Sequence, residues 1–180
     1  MLSLKKGDEL SLGNSPILPT LESLMEYTNP HVLDRYSKDH PNNKLTNKEA
    51  FADLMKYFWL CQKHKIDSDN FPDNEDLKFV CAVHKEMKEM DDMWHTFLLF
   101  TMDYADYCEK YFGEFIHHMP TTDDEEMPTD EEFSTDLTRY LSYIYDQLGE
   151  ETVRSWFAPL LEETTAETIE EKEESLVPAI

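Results

Sequence analysis

Glycine is scarce, with four in 180 residues. No glycine-rich phosphate loop is present, and no nucleophile elbow, His-Glu-x-x-His or Cys-x-x-Cys occurs. The familiar sequence signatures of nucleotide-binding loops, α/β-hydrolases, zincin peptidases and dithiol oxidoreductases are therefore all missing. Alternating apolar runs are missing too, which argues against sheets. No apolar run approaches the length of a membrane span, and Met1-Leu2-Ser3-Leu4-Lys5-Lys6-Gly7 lacks a signal-peptide core, so no membrane insertion is expected. Cysteine is limited to Cys61, Cys81 and Cys108. An odd count with two members in apolar helical patterns points to reduced thiols in a cytoplasmic protein, not to a disulfide framework.

Positive charge is the other shortage. Lys and Arg total 16 against 39 Asp and Glu, a formal net charge of −23. Such a field repels phosphate backbones and anionic membranes, so nucleic acid is not an expected partner, whereas a basic protein is. The excess is unevenly placed. Residues 123–132 hold seven acids (Asp123, Asp124, Glu125, Glu126, Asp130, Glu131 and Glu132), and the tail from Glu162 holds seven more against Lys172 alone. With both segments set aside, 25 acids face 15 bases. Because the acids gather in two segments and form no continuous stripe, mimicry of DNA is the weaker use of this charge; solubility is the plain one.

What is present reads as all-α. Apolar residues make up 40% and aromatics 12%, enough for one core in a chain of this length. Leu21, Leu24 and Met25 suggest a short helix after Thr20. Asn29-Pro30 is an N-cap followed by proline at the first helical position, opening a helix to about Ser37. Thr46-Asn47-Lys48-Glu49 is a capping box, and the helix behind it runs to about His64, burying Phe51, Leu54, Met55, Phe58 and Cys61. Residues 66–74, rich in Asp, Asn and Pro, read as a loop; Asp67-Ser68-Asp69-Asn70 resembles the start of a calcium loop, but Pro72 stands where the required glycine belongs. A long helix is expected from about Asn74 to Leu99, with Val80, Val83, Met87, Met90, Trp94, Phe97 and Leu98 at helical spacing. A second capping box, Thr129-Asp130-Glu131-Glu132, opens a helix with Phe133, Leu137, Tyr140, Leu141, Ile144 and Leu148 on one face and Gly149 as its stop. Val153, Trp156 and Phe157 form a last short helix before Pro159. The domain organisation expected is an extended lead-in over 1–17, a single irregular helical bundle over 18–160 and a disordered acidic tail over 161–180.

One segment is dense in special residue types: Asp91, Trp94-His95, Tyr104, Cys108, Phe112-Gly113 and His117-His118. Asp91 and His95 share a helix face. On one straight helix, His95 and Gly113 would stand ~27 Å apart, and the few residues back to His118 could not recover that distance. A break at Phe100-Thr101, with Thr101 as N-cap, followed by a helix from Met102 to Phe112, lets an extended return of about five residues, ~17 Å, bring His118 near the elbow. The functional reading is a metal site from His95, His118 and Asp91, with Cys108 or His117 as a fourth group; zinc takes such mixed ligands. The structural reading has Trp94 in the core and the two histidines hydrogen-bonded to backbone and carboxylate. His31, His40 and His64 are isolated and expected at the surface, and the nine methionines suit a plastic core.

In order and spacing, the block from Asp91 to His118 resembles that of the glycine-rich domain-containing protein-like family, whose pattern runs Asp-x-x-Trp-His-x-His, then Pro, Tyr, Cys, Phe-Gly and His. Thr101 stands at the family's proline, which implies a helix break there, and Phe97 stands at its second histidine, so one candidate ligand is missing. The resemblance implies no reaction. The tail resembles the C-terminal glutamate-rich translocation signals of type IVB secretion effectors, on Glu162, Glu163, Glu167, Glu170, Glu171, Glu173, Glu174 and Leu176. That likeness implies delivery into a host cytosol. The reading that follows is an acidic helical interaction or adaptor protein, with a metal-binding protein or metal-dependent enzyme centred on His95 and His118 as the alternative.

Overall fold

The computed structural model describes residues 18–119 and 128–158. The expected lead-in over 1–17, the acids Asp123 to Glu126, Pro159 and the acidic tail lie outside the described residues. Among those described there are seven α-helices and no strand: α1 Leu21–Met25, α2 Pro30–Asp39, α3 Asn47–Asn70, α4 Lys88–Leu98, α5 Thr101–Phe112, α6 Asp130–Leu148 and α7 Glu150–Trp156. Short 3-10 turns occupy Glu75–Leu77 and Lys85–Met87.

Local chemistry sets the helix starts. Asn29 Oδ1 accepts from the His31 and Val32 amides at the head of α2. Thr46 and Glu49 form the reciprocal capping box of α3, and Thr129 and Glu132 that of α6. Each such cap contributes about 1 kcal/mol by satisfying amides that have no intrahelical partner. At the far end of α5, Gly113 takes the left-handed conformation at φ 69°, which turns the chain back toward α4.

The core is built around α3, which packs against α1, α2, α4 and α6. Phe58 sits at its centre, with Trp94 edge-on at 5.0 Å and Tyr104, Tyr107 and Phe112 all within 6.5 Å. Leu54, Met55, Phe97 and Ile144 are fully enclosed around them. Each such side chain contributes about 1.5–3 kcal/mol through burial. Of the expected α6 face, Tyr140 and Ile144 are buried, while Phe133 is 48% exposed.

Two expectations need correction. Helix α3 runs to Asn70, not to His64, because its last turns are held both along the helix, where Lys63 pairs with Asp67, and across it, where Asp67 accepts from Tyr143 of α6 at 2.7 Å. The helix expected from Asn74 does not exist before Lys88. Residues 78–84 run as an irregular strap, since the carbonyls of Leu77, Lys78 and Cys81 are taken by side chains instead of by amides four residues on. His64 bonds the Leu77 carbonyl at 2.9 Å, Arg139 the Lys78 carbonyl at 3.1 Å and Tyr57 the Cys81 carbonyl at 3.1 Å. Those bonds account for backbone groups that a helix would have used internally. Phe79 locks the strap by packing on His64 at 4.1 Å and on Tyr140 and Tyr143 at 5.6 Å. His64 is therefore a partly buried structural residue and not a surface one.

Candidate metal-binding site

The site begins with the break after α4. Phe100 adopts φ −95° and ψ 61°, and α5 starts at Thr101 with no side-chain cap, so the elbow is where expected but Thr101 does not cap it. The turn is held instead by backbone bonds from the Leu99 and Phe100 amides to the Thr96 and Phe97 carbonyls. Phe97 is fully buried and packs edge-on against Tyr104 at 5.0 Å, which places it in the core and away from any ligand position.

After Gly113 the chain returns in extended form past α4. A buried hydrogen-bond relay fixes its register. Trp94 Nε1 donates to the Tyr104 hydroxyl at 3.0 Å, and that hydroxyl donates to the Ile116 carbonyl at 2.6 Å. Extended residues alternate in direction. Ile116 and His118 are half-buried accordingly, whereas Phe115, His117 and Met119 are exposed. His118 lands edge-on against Trp94, with ring centres 4.4 Å apart, and beside His95 at 4.5 Å.

Asp91, His95 and His118 each offer a ligand atom within 4.8 Å of the other two. His118 Nε2 lies 2.8 Å from Asp91 Oδ1, and His95 Nδ1 lies 3.4 Å from Asp91 Oδ2. His95 Nδ1 is also 2.9 Å from the Asp91 carbonyl, which can only accept, so Nδ1 is the donor in that contact. The His95 side chain is 56% exposed. Ligands on a tetrahedral ion at ~2.0–2.1 Å stand roughly 3.3 Å apart, a value bracketed by the 2.8 Å and 3.4 Å separations seen.

The other two expected ligands do not join this group. Cys108 is fully buried beneath Tyr104, and its thiol is pushed up in pKa by desolvation against the opposing pull of the Ile116 backbone and the Tyr104 hydroxyl. A buried, protonated thiol is a core residue. His117 sits at the exposed lip of the cleft, tilted against Phe115 at 4.9 Å, and is not one of the three residues whose ligand atoms converge.

The triad opens into a cleft of about 750 Å³. The strap from Val80 to Lys85 forms one wall, α4 the floor, and His117 to Met119 the opposite lip. The sequence gives no signal for the strap as a wall, because its residues carry helical spacing. His84 packs against Tyr140 at 5.5 Å and Phe157 at 5.6 Å; burial holds its pKa below the ordinary imidazole value, with nearby Glu86 opposing the effect. Lys88 is tied to Asp92 at 2.6 Å, and that hydrogen bond raises its pKa.

The UCP032817-like family model matches residues 21–154. This corrects the resemblance to the glycine-rich domain-containing protein-like family, which rested only on the block from Asp91 to His118. No curated protein and no solved structure matches the chain significantly. The matched span takes in every helix from α1 to α6 and most of α7, together with the whole Asp91, His95 and His118 cluster, and the chain belongs to the UCP032817-like family.

Proposed function

We propose that the protein binds a divalent transition-metal ion, zinc first among them, through Asp91, His95 and His118. The observation that supports this reading is the meeting of two imidazoles and one carboxylate from separate stretches of chain, at the floor of an open cleft. Three protein ligands with an open side suit an ion that keeps exchangeable positions, as catalytic zinc does, more than a closed four-ligand structural site. The same donor set serves ferrous iron, so both ions belong in the test. A bound ion would supply Lewis-acid chemistry and an activated water. The protein's part is to orient: the relay through Tyr104 pins Ile116 and with it the return that carries His118, and the Asp91 carbonyl engages His95 Nδ1.

Chelator-treated protein titrated with zinc or ferrous salt under anaerobic conditions tests the reading. One ion per chain is expected at micromolar affinity or better. Asp91→Ala, His95→Ala or His118→Ala should each weaken binding by roughly 100-fold or more, since each removes a ligand. Cys108→Ser and His117→Ala should not. Absence of uptake, or uptake indifferent to the triad, refutes the reading.

The charge supports a second reading in which the protein also docks a basic partner protein. The net charge of −23 and the glutamate-rich tail from Glu162 motivate it, with secretion into a host cytosol as the more specific form. Replacing residues 163–180 by a scrambled sequence of equal charge separates the forms. A scrambled tail that serves as well as the native one leaves only net charge at work.

A further inference from the structure

The cleft over the triad is poorer in acids than the chain as a whole. In a protein of net charge −23, its lining carries Lys85, Lys88 and four of the seven histidines, with Asp91 as its one carboxylate. Lys88 is committed to Asp92 at 2.6 Å. Lys85 is 85% exposed and pairs only loosely, at 3.6 Å, with its neighbour Glu86, so its ammonium is the more available of the two. No arginine lines the cleft: Arg35, Arg139 and Arg154 are each engaged by carboxylates elsewhere.

The rim is apolar. Val80 is 75% exposed on one lip and Met119 83% exposed on the other, among the most exposed large hydrophobic side chains described. Val83 and the Trp94 ring continue the apolar surface inward. Exposed apolar groups gathered at the mouth of a cleft mark a surface that something covers. A volume of about 750 Å³ is of the size that takes small molecules.

We infer that the cleft binds a small amphipathic monocarboxylate, with its carboxylate drawn to the triad and Lys85 and its apolar body lying between Val80, Val83 and Met119. This rests on the metal reading for one of its two anchors. A divalent ion held by one aspartate and two neutral histidines keeps a net charge of +1, which a single carboxylate neutralises. Lys85 adds one further positive charge at the rim. The absence of any guanidinium argues for a monoanion over a phosphate dianion, for which paired arginine donors are the favoured partners.

Calorimetric titration of the full chain tests this, first with zinc and then with octanoate, acetate, octylamine and octyl phosphate as probes. Octanoate should bind the zinc-loaded protein at least about tenfold more tightly than acetate, because only octanoate covers the apolar lips. Octylamine should not bind. Lys85→Glu should weaken octanoate by roughly five- to tenfold at low salt, with less effect at high salt and no change in zinc affinity. Val80→Ser should weaken octanoate while sparing acetate. Protein that takes zinc but no octanoate overturns the carboxylate inference and leaves the metal reading intact. Protein that takes no zinc, yet binds octanoate in a manner dependent on Lys85, removes the metal and keeps the ligand class. Tighter binding of octylamine or octyl phosphate than of octanoate, or indifference to Lys85→Glu, overturns the inference.

Discussion

Two tyrosines on α5, three residues apart, should respond in opposite directions to loss of the same hydroxyl. Tyr104 and Tyr107 are both enclosed, at 0% and 1% exposure. The Tyr104 hydroxyl joins Trp94 to the Ile116 carbonyl, while that of Tyr107 has no partner among the described residues. In Tyr104→Phe the buried Trp94 N–H is orphaned, at a cost of about 1–3 kcal/mol, and the bond to Ile116 is lost, at about 0.5–1.5 kcal/mol. The expected loss is about 2–4 kcal/mol, or roughly 5–15 °C in Tm for a chain of this size. Tyr107→Phe removes a desolvated, unpaired hydroxyl and should be neutral or stabilising by about 1 kcal/mol. Urea unfolding with a shared m-value measures both. The Tyr104 change should also lower zinc affinity by about tenfold, as loss of a supporting contact does, because Ile116 and hence His118 are no longer pinned. Equal shifts in the two variants would refute the relay as the device that holds the return.

Other expectations follow from single features. Trp94→Ala deletes a side chain that is 5% exposed and packed on Phe58, Tyr57 and His118, and should cost about 3–5 kcal/mol in chemical denaturation. Gly113→Ala meets no atom within 4 Å, so its cost of about 1 kcal/mol should come from the positive φ alone; a cost near zero would show that the turn relaxes. Burial lowers the pKa of His84, with Glu86 opposing, so the unfolded chain takes up this proton first as pH falls. The His84 contribution to stability is therefore complete above about pH 6.5, the unfolded value, and is lost as pH drops through the depressed folded value. His84→Gln should flatten the fall in stability between about pH 7 and 5 relative to the parent, and parallel curves would argue against it. Deleting residues 163–180 should leave the melting temperature unchanged, since the family match ends at residue 154; a drop of several degrees would place the tail against the domain.

The sequence by itself determined what depends on neighbours along the chain. The helical class, the caps at Asn29, Thr46 and Thr129, the stops at Gly113 and Gly149, and the break after Leu99 are decided within a turn or two of backbone. The meeting of Asp91, His95 and His118 was legible for a related reason: chain length and helix rise leave few ways to close an elbow of that size. The family was not legible, because a block of 28 residues from Asp91 to His118 resembles more than one pattern, whereas the matched model spans residues 21–154. Tertiary structure alone decided the strap and the length of α3. Residues 78–84 have helical spacing, yet the carbonyls of Lys78 and Cys81, and of Leu77 just before them, are claimed by Arg139, Tyr57 and His64 from other helices. The same holds for Cys108 and His117. Spacing made them candidate ligands, but Cys108 is buried under Tyr104, and His117 stays at the exposed lip, outside the converging triad. Periodicity reports which face a residue shares, and only packing reports which bonds that face can still make.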